Sequence, residues 1–291
     1  TLESLKQAFK QGRIRKPVTL NTTNAISVEV QGKIGSGLTV LILGEGVPDQ
    51  TPPIIAASVN PPPNAAFWHN QNVTVTFTCS DSLSGVATCS NPVTVTTEGI
   101  NQIITGTATD QAGNTASTSV TFNVDKTQPV ISASVSPAPN AAGFHNADPT
   151  VTFTCSDAVS GVATCSDPVT VTGEGMGQVI TGTVIDKAGN VASTSVTLNI
   201  DKMQPMISAS VSPLPNAAGF HNSDPTVTFT CSDSLSGIAT CSGPVTVTTE
   251  GTGQAITGTA TDQAGNTAST SVTINMDKSV LLSFKWVSSG N

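Results

Sequence analysis

One unit of sequence occurs three times along this chain, and this repeat constrains the fold more than any other feature. Asp49, Asp125, Asp201 and Asp277 recur at a constant interval of 76 residues. Between them, CSDSLSGVATCS (79–90) returns as CSDAVSGVATCS (155–166) and CSDSLSGIATCS (231–242). Self-similarity at a fixed period is typical of an array of stacked modules. We therefore predict copy 1 (49–124), copy 2 (125–200) and copy 3 (201–276), flanked by an N-terminal segment (1–48) and a C-terminal segment (277–291).

Each copy has the pattern of short β-strands. In copy 2, Ile131, Ala133 and Val135 alternate with Ser, and residues 151–155 alternate with Thr in the same way. Alternation with period two predicts strands that bury one face. Six or seven such strands, separated by turn signals and without a helical period, predict a β-sandwich. The strands expected in copy 2 are 131–135, 151–155, 162–165, 168–172, 178–185 and 191–200.

Composition limits the classes of partner. The net charge is −8, and the acidic residues are concentrated in the three copies, whereas residues 1–48 are basic. An acidic array repels nucleic acids and anionic membranes, so neither is an expected partner. We also expect no membrane span, because no segment reaches the ~18–20 apolar residues that a span requires.

The cysteines indicate where the protein works. Two of them occur in each copy at identical spacing, which predicts one disulfide per copy. Disulfides persist in oxidising compartments, so a secreted or cell-surface protein is expected. A metal site is the weaker interpretation, because two Cys and one His per copy do not provide four ligands. The predicted pairs are Cys79 with Cys89, Cys155 with Cys165, and Cys231 with Cys241.

Three motifs carry a resemblance to a known family. They are the Asp-Lys-x-x-Pro joint (125–129 and 201–205), the T/I-D-x-A-G-N turn, and the C-S-D…S-G…C element. Together they resemble the tandem bacterial Ig-like repeats of secreted and cell-surface proteins. The resemblance implies immunoglobulin-like sandwiches in an elongated array with a stalk, adhesin or surface-layer role. The cysteine pair departs from antibody-type domains, whose disulfide joins distant strands; here it should link neighbouring strands.

Acidic residues recur at the joints and in the last hairpin turn of each copy. A joint Asp close to a turn Asp of the adjoining copy would begin a calcium site, since Ca²⁺ takes about 6–8 oxygen ligands. The alternative is that these side chains cap turns by accepting hydrogen bonds from nearby backbone amides. The candidate calcium residues are Asp110, Asp125, Asp186, Asp201, Asp262 and Asp277.

Other polar residues suggest no catalytic centre. His69, His145 and His221 follow an aromatic residue in each copy, and we expect the aromatic residue to close one end of the sandwich with His at its rim. Three equivalent His on separate copies cannot form one catalytic centre, and no G-x-S-x-G motif occurs. Rows of Thr such as Thr74 and Thr76 predict the solvent face of a strand, with a glycan-binding or ice-binding face as the alternative.

The two flanking segments differ from the copies. Residues 1–48 combine a helical spacing (Leu2, Leu5 and Phe9) with two strand-like stretches, and we interpret them as a partial domain or an assembly element. In the C-terminal segment, apolar residues alternate strictly, which predicts a strand that begins a further domain or completes the sheet of another subunit. These residues are Val280, Leu282, Phe284 and Trp286.

The sequence therefore predicts an all-β, non-enzymatic extracellular protein. Its tandem domains would form a surface stalk or adhesin, or the repeating subunit of a surface filament, with copies of itself or other surface proteins as end-to-end partners. Calcium is the one cofactor considered. The alternative function is a carbohydrate- or ligand-binding accessory region of a larger secreted enzyme.

Overall fold

The computed structural model describes residues 48–279. The chain divides into two compact units, Thr1–Pro48 and Asp49–Asn291. The proposed assembly strand (Val280, Leu282, Phe284 and Trp286) and the predicted elements of residues 1–47 lie outside the described residues. Within 48–279 all 19 regular elements are β-strands, which confirms the all-β prediction for this range. No helix in the same range has the length and apolarity needed to cross a membrane.

The strands recur in the same order in each copy. Copy 1 contains β1 (Ile54–Asn60), β2 (Trp68–His69), β3 (Val73–Ser80), β4 (Val86–Cys89), β5 (Val93–Val95), β6 (Gly99–Asp110) and β7 (Thr115–Val124). Copy 2 contains β8 (Val130–Ser136), β9 (Thr150–Ser156), β10 (Val162–Cys165), β11 (Val169–Thr170), β12 (Gly175–Asp186) and β13 (Val191–Ile200). Copy 3 contains β14 (Met206–Ser212), β15 (Thr226–Ser232), β16 (Ile238–Cys241), β17 (Val245–Thr246), β18 (Gly251–Asp262) and β19 (Thr267–Met276).

Two antiparallel sheets make up each copy. In copy 1, one sheet has the order β1-β3-β5, and the other has the order β4-β6-β7, with β2 added parallel to β7. Copies 2 and 3 repeat this arrangement, and a single parallel bridge from His145 to Ile200, or from His221 to Met276, takes the place of β2. The T/I-D-x-A-G-N motif, which is repeated in each copy, forms the turn at the tip of a long hairpin. These hairpins are β6–β7, β12–β13 and β18–β19.

The fourth strand of copy 2 is shorter than predicted. The sequence suggested 168–172, but only Val169 and Thr170 pair with β9. The reason is Pro149, which faces Val171 across the ladder and has no N–H group to donate. Its carbonyl still accepts a hydrogen bond from the Val171 amide (2.9 Å). Copy 1 has Val73 at the equivalent position, and there the ladder extends to three residue pairs.

The two sheets of a copy share one small core. In copy 1 its centre is formed by Val73, Val75 and Phe77 of β3 together with Phe122 and Val124 of β7. Their burial follows the alternation seen in the sequence, because successive side chains on a strand point to opposite faces. Each fully buried side chain of this size stabilises the fold by roughly 1.5–3 kcal/mol. With so few large residues, each contact in the core is important.

The disulfide of each copy joins its two sheets. Cys155 on β9 is bonded to Cys165 on β10, with a Cα–Cα distance of 6.0 Å, and copies 1 and 3 contain the equivalent bonds. The two strands are neighbours in sequence, as expected, but β9 and β10 belong to different sheets. The bond therefore connects the sheets across a short loop, for which chain-entropy models give about 2–3 kcal/mol of stabilisation.

A glycine faces the central phenylalanine of every copy. A Cβ atom on Gly258 would lie 2.4 Å from Cδ1 of Phe229, and Gly106 and Gly182 face Phe77 and Phe153 in the same way. Real Cβ atoms do not approach a ring this closely. The absence of a side chain on β18 therefore makes the space that Phe229 fills from the opposite sheet.

We predict that Gly258→Ala destabilises copy 3 by roughly 1–3 kcal/mol, because the added methyl group overpacks the core against Phe229. The control is Gly243→Ala in the same copy, where an added Cβ has no neighbour within 4 Å. Hydrogen exchange of copy 3 peptides measures the effect separately from copies 1 and 2. Equal protection in the two variants would contradict this account of the glycine.

Candidate functional site at the joints between copies

The joint between copies 1 and 2 is centred on Asp125. Its amide donates a hydrogen bond to the carbonyl of His69 in copy 1 (2.9 Å). Its carboxylate accepts one from the amide of Ser160 in copy 2 (2.9 Å), and its carbonyl accepts one from Nδ2 of Asn190 (3.0 Å). Asp125 is fully buried. One residue thus belongs to the hydrogen-bond networks of both copies.

The joint between copies 2 and 3 repeats these contacts. The amide of Asp201 donates to the carbonyl of His145 (2.9 Å). Its carboxylate accepts from the amide of Ser236 (3.0 Å), and its carbonyl accepts from Nδ2 of Asn266 (2.9 Å). Equal sequences at equal spacing therefore produce the same joint twice.

A second connection bridges each joint directly. Nδ2 of Asn64 in copy 1 donates to the carbonyl of Lys187 in copy 2 (2.8 Å). Oδ1 of the same Asn64 accepts hydrogen bonds from the amides of Ala66 and Trp68, which holds its own loop in place. Asn140 donates to the carbonyl of Gln263 in copy 3 (2.8 Å) in the same manner. The sequence analysis missed this asparagine, although its recurrence in a Pro-Asn-Ala-Ala segment was visible.

The residue after each joint aspartate binds the preceding copy. Nζ of Lys126 donates to the Thr96 carbonyl (2.6 Å) and to Oδ1 of Asn72 (3.0 Å). In the next joint, Nζ of Lys202 forms an ion pair with Asp148 (2.7 Å). The start of the linker is therefore bonded to the preceding copy through Asp125 and Lys126, and to the following copy through Asp125.

Each copy begins with a cluster of three carboxylates. One oxygen from each of Asp125, Asp157 and Asp186 lies within 4.8 Å of the other two. The clusters in the other copies are Asp49 with Asp81 and Asp110, and Asp201 with Asp233 and Asp262. A joint Asp thus meets the turn Asp of the copy that it opens. The third member, which follows the first Cys, was absent from the predicted calcium residues, and Asp277 belongs to no cluster among the described residues.

The carboxylates of the clusters cap turns. Oδ1 of Asp186 accepts hydrogen bonds from the amides of Gly189 (2.7 Å) and Asn190 (2.8 Å). Oδ1 of Asp157 accepts one from Gly161 (2.7 Å). The capping interpretation thus describes contacts that are present in each cluster. Capping does not exclude a cation, because a carboxylate oxygen has more than one lone pair.

Hydrogen bonding also changes the acidity of one cluster member. Burial acts to raise the pKa of Asp233, because it disfavours the charged form. Hydrogen bonds from Gly237, Leu235 and Ser236 favour the charged form and together outweigh burial, so the pKa of Asp233 lies below its ordinary value. This carboxylate is therefore ionised at neutral pH.

The clusters have a chemical fit to calcium. Asp125 and Asp186 are almost completely buried, and the ion pairs found within residues 48–279 involve Asp148 and Asp224 instead. Buried like charges without a cationic partner repel one another strongly. Carboxylate and carbonyl oxygens are the ligands that Ca²⁺ prefers. The donor set of each cluster therefore suits this ion, with three carboxylates as the protein's contribution.

The histidines are buried, which corrects the expectation that they lie at the rim. Only 3% of His69 is exposed, and its ring packs edge-on against Phe122 with centroids 5.9 Å apart. The cause is the pairing of Trp68 and His69 with the end of β7, which carries the histidine into the core. Nδ1 of each of His69, His145 and His221 is buried without a hydrogen-bond partner. The preceding aromatic residue is buried in copy 2 (Phe144) and half-buried in the other two copies.

Hydroxyl-bearing residues lie on the outer faces, as the solvent interpretation predicts. Thr76 and Thr78 are exposed on β3. Oγ1 of Thr74 hydrogen-bonds to Oγ1 of Thr94 on the neighbouring strand (3.0 Å). Within residues 48–279 no Ser hydroxyl is hydrogen-bonded to a histidine; Oγ of Ser84, Ser160 and Ser236 donates to an aspartate instead.

Comparisons with solved structures found distant likenesses, among them two adhesin structures. No family model matches the chain, and no curated protein matches it. A tetra-tandem repeat in the extending region of a large adhesion protein is 18% identical, with a TM-score of 0.28 over 79% of this chain and 76% of that chain. A structure that concerns host cell surface retention of a bacterial ice-binding adhesin is 15% identical, with a TM-score of 0.32 over 79% of this chain and 99% of that one. Both likenesses are too distant to assign a function.

We predict that His69 and His145 titrate below the ordinary histidine pKa of about 6.5. Burial lowers the pKa of both His69 and His145. The unfolded chain therefore binds these protons at a higher pH than the folded chain does, and the free energy of unfolding falls as pH drops from about 6.5 towards the folded pKa. NMR titration of the ring protons measures the folded values. A pKa at or above 6.5 for both rings would contradict the prediction.

Proposed function

We propose that this chain is a non-enzymatic extracellular structural protein whose copies form a stiff rod. It serves as the stalk of a bacterial surface adhesin or as the repeating subunit of a surface filament. The observation that carries the proposal is the joint aspartate. It donates from its backbone to one copy and accepts through its buried carboxylate from the next, so that adjacent copies hold a defined relative orientation.

Three further features support a mechanical role. The linker is bonded to both of its neighbours, and Pro129 and Pro205 limit its backbone freedom. Each small core is supplemented by a disulfide, which is typical of small domains in oxidising compartments outside the cytosol. The two sheets of each copy share one core, and we propose that they form an immunoglobulin-like sandwich. A chain of such domains resists bending because hydrogen bonds of an aspartate and an asparagine connect the copies at both described joints.

We propose that the C-terminal segment provides the partner contact. Val280, Leu282, Phe284 and Trp286 alternate with other residues over one strand length. Such a strand completes the sheet of another subunit through main-chain hydrogen bonds, and its alternate side chains fill pockets there. In the filament version of the proposal, copies of this chain are thus joined end to end.

We also propose that Ca²⁺ binds at the three aspartate clusters and stiffens the joints. Asp125 and Asp201 are at once joint residues and cluster members, so an ion held there strengthens the connection between copies. The ion would also offset the repulsion between the three carboxylates of a cluster, of which two are buried in copies 2 and 3 and one in copy 1. Because binding occurs only in the folded state, it raises stability by mass action.

For the rod, we predict that Asn64→Asp combined with Asn140→Asp widens the distribution of angles between copies. The substitution keeps Oδ1, which holds the loop, but replaces the Nδ2 donor with an oxygen that repels the Lys187 and Gln263 carbonyls. Negative-stain electron microscopy of single particles measures the angles. The wild-type chain should show a narrow distribution.

The matched control is Asn216→Asp. In copy 3 this asparagine caps the same loop through the amides of Ala218 and Phe220, but no later copy is present among the described residues. The control should leave the angles unchanged. The proposal of a stiff rod would be contradicted if the angles vary freely in the wild-type chain, or if the double variant has the same distribution of angles as the wild type.

For calcium, we predict that isothermal titration calorimetry of the full chain finds three ions bound to copies 1–3. Asp186→Asn should reduce the number to two, because the amide keeps the capping oxygen for Gly189 and Asn190 but loses the negative charge. Asp167→Asn, an exposed acid outside the clusters, serves as the control and should still give three. No binding, or three ions in the Asp186→Asn variant, would rule out the proposed sites.

A further inference from the structure

Copy 1 departs from its sister copies in one short segment. Residues 67–72 read FWHNQN, whereas residues 143–148 read GFHNAD and residues 219–224 read GFHNSD. Copies 2 and 3 differ from each other here only at Ala147 and Ser223. Copy 1 differs from both at Phe67, Trp68, Gln71 and Asn72. The segment lies at the joint, so a substitution in it changes the surface between two copies.

Phe67 occupies a backbone conformation that favours glycine. Its φ angle is 63°, and the equivalent Gly143 and Gly219 have φ angles of 85° and 83°. A bulky residue in the left-handed region is strained, because its Cβ crowds the backbone. Phe67 is 75% exposed, so burial of its ring contributes little stabilisation to offset the backbone strain. Strain kept at an exposed aromatic residue suggests a functional role.

A cleft of about 300 Å³ lies next to this segment. Copy 1 contributes Pro61–Pro63, Trp68, Asn70 and Gln71 to its lining, and copy 2 contributes Ala188 and Gly189. The hydrogen bond from Asn64 to Lys187 holds the two sides together. Ligand sites occur preferentially between domains, and this volume is at the small end of their usual range of about 300–1,000 Å³. The cleft therefore accommodates one small ring at a time.

Two polar side chains of the cleft have no hydrogen-bond partner among the described residues. The side chains of Asn70 and Gln71 are exposed and make no hydrogen bond to any described residue. His69 also lines the cleft, and its Nδ1 is buried without a partner. No Asp, Glu, Lys or Arg lines it. Asn72 replaces the aspartate that forms an ion pair in the next joint, so the neighbourhood of the cleft also loses a negative charge.

We propose that this cleft is a binding site for a neutral sugar. The half-buried indole of Trp68 packs against the apolar face of a pyranose ring, since aromatic rings combine a large apolar surface with a fixed geometry. The amides of Asn70 and Gln71 both donate and accept hydrogen bonds, which matches the hydroxyl groups of a sugar. The exposed ring of Phe67 extends this surface towards a neighbouring sugar unit. Copies 2 and 3 have neither a Trp nor a Gln at the equivalent positions, so the proposed site belongs to copy 1, and it does not depend on the copies forming a rod.

The test compares the full chain with a variant in which copy 1 receives the residues of copy 2, F67G/W68F/Q71A. The backbone of copies 2 and 3 already accommodates Gly and Phe at these positions, so thermal stability should be unchanged or higher. An array of neutral hexose and N-acetylhexosamine oligosaccharides, sialylated glycans and proline-rich peptides first identifies the best ligand. Calorimetric titration with that glycan should then show at least tenfold weaker binding to the variant.

The matched control is Leu214→Ala, which removes an exposed apolar side chain from the equivalent loop of copy 3 and installs the residue of copy 2. It should bind the glycan as the original chain does. The proposal is overturned if no neutral glycan binds, if sialylated glycans or proline-rich peptides bind instead, or if the triple variant binds as well as the original chain. An equal loss in the Leu214→Ala control would also overturn it.

Discussion

A buried carboxylate without a cationic side chain as its partner begins copies 2 and 3, and both joints depend on how it is satisfied. The Asp125 carboxylate accepts hydrogen bonds from the amides of Thr127 and Ser160. The backbone carbonyl of Asp125 accepts a further one from Nδ2 of Asn190 in the tip of the long hairpin. The bonds of this one residue therefore bring together the turn before β10, the tip of the long hairpin and the start of the copy. Leaving the buried carboxylate without its amide donors would cost several kcal/mol, so the start of the copy and the turn before β10 stabilise each other.

The same interaction explains why the copies need so little core. Each has one central Phe, a facing glycine and a few aliphatic residues, and the disulfide connects the two sheets. Polar bonds at one end and a covalent bond between the sheets supplement a modest hydrophobic contribution. At each described joint, the aspartate that completes one copy is also bonded to the copy before it, and one asparagine adds a second hydrogen bond. The array can then be lengthened by adding copies, because the same contacts connect each new copy to the one before it.

The repeated contacts also allow other residues at the joints to differ between copies. Because the aspartate and asparagine contacts position adjacent copies, the other residues of the joint can vary without changing its geometry. Copy 1 varies in this way: it has Phe67, Trp68 and Gln71 at positions where copies 2 and 3 have smaller residues. A mechanical role for the array and a recognition role for one joint are therefore compatible, since they use different side chains of the same loop.

The sequence by itself determined the local features: the period, the alternation that places strands such as β8 and β9, and the cysteine spacing that gives one disulfide per copy. These follow from side-chain periodicity and turn chemistry within a few residues. Only the tertiary structure decided that Asp125 meets Asp157 and Asp186, that the disulfide joins two sheets, and that His69 is buried. Those outcomes depend on which strands cross and face one another, and residues far apart along the chain come together only when both sheets have formed.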